Sequence, residues 1–269
     1  MTAKYSSVTC KTALSPSRLP GLKYSLNPYI GCQHSCGYCY SPSILHNPQL
    51  ALDWGKFVRA KHNIAEVLAQ EIKRKPKGIV GVSTVTDPYQ PLEAKMELTR
   101  RCLEVLSKSY FLVSIQTKSS LVARDADLIV PKKFDLGVTI TTMDPRLSSR
   151  LEPNAPPPDA RAQVLEEFSG RGVETWVFLG PIIPEINDDE DSLKRIIRVA
   201  ASTKSKVIYD KLNLKEYVME RLKPELEKEK PSLVDRLPGI IREGKFWQNT
   251  DSKIKSLCRE LGVNCETAF

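Results

Sequence analysis

"GIVGVSTVTDPYQPLEAKMELTRRCLEVLSKSYFLVSIQTKS", residues 78–119, sets two short β-branched runs on either side of a segment whose apolar residues recur at helical spacing. Strand, amphipathic helix and strand without a hairpin signal predict a βαβ unit, and hence a parallel sheet. The same alternation continues through "SLVARDADLIV" (120–130), "FDLGVTITT" (134–142), "PPDARAQVLEEFSGRG" (157–172), "VETWVFLGPII" (173–183), "DEDSLKRIIRVAAS" (189–202) and "KVIYDKLNL" (206–214). With the segment that leads into residue 27 counted first, six such strands are predicted. Six are too few to close an eight-stranded barrel, which leaves an incomplete curved barrel or an open doubly wound sheet. Either places the ligand site at the carboxyl ends of the strands, so "STVTD", "QTKS" and "TITT" are expected at one mouth. The Pro-rich "RLSSRLEPNAPPPDAR" (146–161) is expected to be a loop covering it.

Beyond residue 214 the alternation stops. A helix over "EYVMERLKPELEKE" (216–229), a loop and a closing helix over "DSKIKSLCRELG" (251–262) predict a C-terminal extension. The expected organisation is an N-terminal segment (1–23), the barrel (24–214) and a helical extension packed on it (215–269).

The 269 residues are 41% hydrophobic and 27% charged, an ordinary globular balance that excludes a disordered or fibrous chain. No apolar run is long enough for a signal peptide or a membrane span, so a cytoplasmic protein without membrane partners is expected. In that reducing compartment the seven cysteines are expected to be metal ligands or core thiols rather than a disulfide framework. The net charge of +8 favours an anionic partner, nucleic acid included. Most of the basic residues nevertheless sit on segments of helical spacing, where solvated faces account for them.

Three cysteines gather in "NPYIGCQHSCGYCYSPS" (27–43), spaced C-x3-C-x2-C on a turn after the first strand. Thiolates suit zinc or an iron–sulfur cluster. Structural zinc wants four ligands, commonly from two separated pairs, and no second pair is present; His34 would have to fold back tightly to serve. Three thiolates without a fourth leave a [4Fe–4S] cluster with one iron open. Cys102 and Cys258 stand among helical apolar positions as core thiols, Cys10 and Cys265 have no assigning spacing, and Trp54, Trp176 and Trp247 are expected to be packing residues.

Cys32, Cys36 and Cys39, with Tyr38 just before the last of them, resemble the cluster motif of the radical S-adenosylmethionine enzymes. The pieces "NPYIGCQHSCGYCY", "STVTDPYQPLE", "TKSSLVARDADLI", "TITTMDPRLSSRLEPNAPPP" and "GPIIPEIND" are similar to the spore photoproduct lyase branch and its DNA-repair photolyase-like relatives, over roughly residues 24–190. The resemblance implies an α/β fold that is a partial (β/α)6 TIM-like barrel, a [4Fe–4S] cluster, and S-adenosylmethionine cleaved reductively to a 5′-deoxyadenosyl radical. It implies S-adenosylmethionine contacts at Thr86, Lys118 and Thr139, with Tyr38 packed on the cofactor, Glu152 accepting from its amino group or ribose, and Asp87 ordering the loop. Tyr38 and Tyr40 match tyrosines of a radical relay in the lyase.

One position departs from that pattern. Thr84 stands where the lyase carries the cysteine that returns a hydrogen atom to thymine, and an alcohol is a far poorer hydrogen-atom donor than a thiol. This argues against the lyase's own reaction. The substrate is left open, with DNA or RNA favoured, and an electron donor such as ferredoxin or flavodoxin is implied. A non-catalytic iron–sulfur or zinc protein binding nucleic acid or a protein is the competing expectation, to which the strand-end set Thr86, Lys118 and Thr139 would be superfluous.

Overall fold

A computed structural model describes residues 3–45 and 47–268 of the chain; residues 1, 2, 46 and 269 lie outside it. Among the described residues eleven strands form: β1 (Lys4–Val8), β2 (Leu14–Pro16), β3 (Tyr24–Leu26), β4 (Tyr29–Ile30), β5 (Phe57–Lys61), β6 (Ile79–Val82), β7 (Leu112–Thr117), β8 (Phe134–Thr139), β9 (Glu174–Ile182), β10 (Lys206–Lys211) and β11 (Cys265–Thr267). Eight make one sheet in the order β11-β10-β9-β8-β7-β6-β3-β2. Its centre, β3-β6-β7-β8-β9-β10, is parallel throughout. These are the six strands expected from the sequence, joined into an α/β sheet that is not closed.

The strands read as short apolar runs because helices cover them. Val80, Val113, Ile115, Leu136, Val138, Val177, Leu179 and Val207 are all buried. Against them lie Leu98, Cys102, Leu103 and Leu106 of the helix Leu98–Ser107, and Leu193, Ile196, Ile197 and Ala200 of Glu190–Ser202. Cys102 and Cys258 belong to this core, as expected of thiols at helical apolar positions. Trp176 packs over Gly137, where a Cβ would lie 2.3 Å from the indole, and its Nε1 donates to Asp135 at 2.8 Å.

Several elements differ from expectation. Residues 57–61, for which no strand is predicted, are β5, which buries Val58 and Ala60 and leaves Phe57, Arg59 and Lys61 partly exposed. It pairs parallel with β1 and antiparallel with β4, making a second small sheet. The stretch 120–130 opens with a 3-10 turn, Ser120–Asp125, rather than an α-helix. Within 146–161, where a loop is expected, Pro145–Leu151 is helical. Asp144 caps it by accepting from the N–H groups of Arg146 and Leu147, and Pro145 supplies the preset φ of a first helical residue. The C-terminal tail adds β11 alongside β10.

Candidate active site at the carboxyl end of the sheet

Residues after β3 carry the three cysteines across the mouth, and the backbone there leaves little choice of side chain. Gly31 has φ +90°, and a Cβ on it would sit 2.5 Å from the Phe57 carbonyl oxygen. Gly31→Ala is therefore expected to destabilise the loop by at least about 2 kcal/mol, from the left-handed backbone and the clash together. Thermal unfolding and iron uptake of this variant check the point; wild-type values in both would contradict it.

The loop is stapled on three sides. The Gly31 carbonyl accepts from Thr86 Oγ1 at 2.6 Å and from Gln90 Nε2 at 3.3 Å. Gln33 donates its N–H to Gln90 Oε1 at 2.9 Å and accepts from the Leu92 N–H at 2.8 Å. From the strap after β8, Asn154 Nδ2 donates to the Gln33 carbonyl at 2.9 Å, and the Gly37 N–H donates to the Leu151 carbonyl at 2.9 Å. From the C-terminal extension, Arg221 donates to the carbonyls of Ser35, Cys36 and Trp54.

Cys32 and Cys36 are buried and Cys39 is half-buried. Burial pushes the Cys36 thiol up to about 12, with Lys118 and Arg161 opposing and Glu152 and Cys39 reinforcing the rise. Burial, then Asp87, Cys36 and Cys39, push the Cys32 thiol well above its ordinary value. Cys32 thus feels both other thiols. Among the described residues no three Cys, His, Asp or Glu side chains stand together as a preformed coordination sphere. His34 is 1% exposed, with Nδ1 3.3 Å from Asp87 Oδ2 but out of line for a hydrogen bond.

The donor set fits an electron-rich sulfur centre. Beside the loop, the buried Nε of Arg221 and Nε1 of Trp54 have no acceptor among the described residues. Buried N–H groups without acceptors are rare and costly, and Arg221, bonded to the Cys36 carbonyl, lies where anionic sulfur could accept from it.

The strand-end residues converge on this loop and divide into two kinds. Lys118 follows β7, is half-buried, and holds its Nζ 5.7 Å from the centre of the Tyr38 ring. Among the described residues that ammonium makes no hydrogen bond or ion pair. Burial alone would lower its pKa, but Cys36, Glu152 and Asp87 outweigh that and raise it, so the group stays cationic. Thr139 Oγ1 accepts from Gln116 Nε2 at 3.2 Å and keeps its own hydrogen to donate.

Thr86, Asp87 and Glu152 are engaged within the protein. Thr86 binds Gly31 and also accepts from Gln90 Nε2 at 3.0 Å. Asp87 Oδ1 accepts from Thr117 Oγ1 at 2.7 Å and the Tyr89 N–H at 2.9 Å, and Oδ2 accepts from the Lys118 N–H at 2.8 Å. Burial would raise this carboxyl, yet His34, Thr117 and the Lys118 amide together hold it at about 2.

Because the folded value lies below the ordinary ~3.9, the stability Asp87 contributes is fully present above about pH 4 and is lost as pH falls toward 2. Wild type is expected to lose about 2 kcal/mol more than Asp87→Asn on acidification through that window, read by denaturant unfolding. Identical pH profiles would contradict this.

Glu152, 1% exposed, accepts from Tyr38, from Thr141 Oγ1 at 2.9 Å and from Ser148 Oγ at 3.4 Å, and pairs with Arg161 at 2.5 Å. Burial would raise its pKa; Arg161 and Lys118 lead the groups that lower it instead. Arg161, missed in the sequence, also donates to the carbonyls of Thr139 and Pro156. Its only signal was a charge in step with the apolar stripe Val164, Leu165 and Phe168.

Tyr38 is buried, its hydroxyl held by Glu152 and Thr141. Tyr40 is 36% exposed and donates to the Thr84 carbonyl at 3.3 Å. Tyr89 and Gln90, which follow Asp87, are wholly buried.

Residues 26–196 match the sequence model of the Radical SAM superfamily. The chain belongs to that superfamily. Radical SAM catalysis, S-adenosylmethionine and an iron–sulfur cluster come with that membership. An uncharacterized protein of Methanocaldococcus jannaschii is 37% identical over 187 residues, 68% of this chain and 69% of that one. Another, from Mycobacterium tuberculosis strain H37Rv, is 30% identical over 254 residues, 89% of this chain and 74% of that one.

Among solved radical SAM folds, spore photoproduct lyase complexed with dinucleoside spore photoproduct superposes with a TM-score of 0.73 at 15% identity, covering 98% of this chain and 82% of that one. Streptococcus suis SuiB bound to S-adenosylmethionine gives 0.58 at 11% identity, covering 99% of this chain and 50% of that one. At such identities the likeness is one of fold. No helix among the described residues is long and apolar enough to cross a membrane.

Proposed function

We propose that this radical SAM chain holds a [4Fe–4S] cluster through Cys32, Cys36 and Cys39 and cleaves S-adenosylmethionine reductively, releasing a 5′-deoxyadenosyl radical that abstracts hydrogen from a substrate. The observation that carries this reading is the free Lys118 ammonium at the carboxyl end of a parallel strand, close enough to Cys36 of the cysteine loop for each to shift the other. Lys118 is suited to pair with the methionine carboxylate, and the Thr139 hydroxyl to donate to the cofactor.

Other residues act by support. Asp87 fixes the backbone of Lys118, Glu152 fixes the hydroxyl of Tyr38, and Thr86 fixes the start of the cysteine loop. The Tyr38 ring offers a packing face for the cofactor. Tyr40, more exposed and bonded to Thr84, is better placed than Tyr38 to pass a radical onward.

Thr84 supplies no thiol, so the final hydrogen comes from elsewhere and the reaction differs from that of the lyase. The charge of +8 and the fold shared with a protein that binds a dinucleoside favour a nucleic-acid substrate. A cytoplasmic setting, with a small donor such as ferredoxin or flavodoxin, belongs to the same reading. Anaerobic reconstitution with iron and sulfide is expected to yield a brown protein with the iron and sulfide of a full cluster. A colourless chain with stoichiometric zinc would overturn the proposal.

A further inference from the structure

The C-terminal helix Val218–Glu229 buries Val218, Leu222 and Leu226 in the same apolar cluster as Cys36 and Tyr38. Arg221 is thereby laid against the cysteine loop, its carbonyl oxygen 3.5 Å from where Gly37 would carry a Cβ. Its guanidinium donates to the carbonyls of Cys36 at 3.1 Å, Trp54 at 3.2 Å and Ser35 at 3.4 Å, and its buried Nε has no acceptor.

Three other arginines here are matched by acids: Arg161 by Glu152, Arg100 by Asp125 and Arg124 by Glu93. Arg221 has no carboxylate among the described residues. A cation taken out of water without an anion is costly, so the wall of this loop carries one positive charge awaiting a negative partner.

We infer that Arg221 is the counter-cation of the cysteine-bound cluster, fixing the Cys36 turn through its carbonyl bonds and raising the cluster's reduction potential through its charge. This rests on the cluster proposed above. Net charge, burial and hydrogen bonds to sulfur set such potentials, and a fixed cation favours the reduced, more negative state. Arg221 is then a positioning residue, and the C-terminal extension is part of the redox site.

The test is an EPR-monitored redox titration of the reconstituted full chain, without S-adenosylmethionine, for wild type, Arg221→Met and Arg221→Lys. Arg221→Met is expected to lower the midpoint enough to shift the reduced-to-oxidised ratio tenfold, about 59 mV for a one-electron couple. Arg221→Lys, keeping the charge, is expected to stay near wild type. Coincident midpoints for wild type and Arg221→Met would overturn the inference.

Should Arg221→Met take up no iron, Arg221→Gln, which retains donors for the carbonyls, is titrated instead, and a wild-type midpoint there overturns the inference equally. Failure of wild type itself to hold a cluster would instead remove the function proposed above, and this inference with it.

Discussion

Cys36→Ala is expected to take up far less iron than wild type and to yield no 5′-deoxyadenosine, while Cys102→Ala keeps both. The two thiols are equally hidden but differently employed. Cys36 sits in a turn whose backbone is held by Leu151 and Arg221, close enough to Cys32 to raise that thiol further. Cys102 is fully buried in a helix against the sheet, away from the mouth, and its loss removes only a small volume. Its cost is on the order of 1 kcal/mol of stability, read by denaturant unfolding. Full iron content in Cys36→Ala would contradict the ligand assignment.

Lys118→Ala is expected to keep the cluster and lose S-adenosylmethionine affinity by roughly 10–100-fold, the worth of one charged hydrogen bond to a carboxylate. Its ammonium makes no hydrogen bond or ion pair among the described residues, and Cys36, Glu152 and Asp87 keep it charged. Anaerobic calorimetric titration measures the effect. Unchanged affinity would make Lys118 structural and would return weight to a non-catalytic iron–sulfur protein.

The contrast between Lys118 and its neighbours marks how far the sequence could be read. Five of the six parallel strands were legible as runs carrying β-branched residues beside a helical period, and β3, Tyr24–Leu26, only as the segment that leads into the cysteines. The cysteine spacing was legible because the three thiols share one loop. β5 was hidden because Arg59 and Lys61 alternate with Val58 and Ala60, and five such residues at the head of a helical stretch look like its first turn. β1 and β11 are short edge strands, specified by the partner they lie beside rather than by their own composition.

Side-chain roles were harder to see than strand positions. Thr86, Asp87 and Glu152 do come to the mouth, yet their polar atoms are engaged in holding the loop, a distinction only three-dimensional hydrogen bonding makes. Arg161 and Arg221 sit in helices where a charge usually marks a solvated face. Both are drawn inward by partners distant in sequence, Glu152 for one and the cysteine loop for the other.

The most direct measurement is chromatography for 5′-deoxyadenosine after the anaerobically reconstituted chain is mixed with dithionite and S-adenosylmethionine, with a nucleic-acid oligomer present and absent. Formation of 5′-deoxyadenosine by wild type, and none by Cys36→Ala, is the predicted result. A wild-type chain with its full cluster that yields none under either condition would contradict the radical reaction and leave the cluster a structural one.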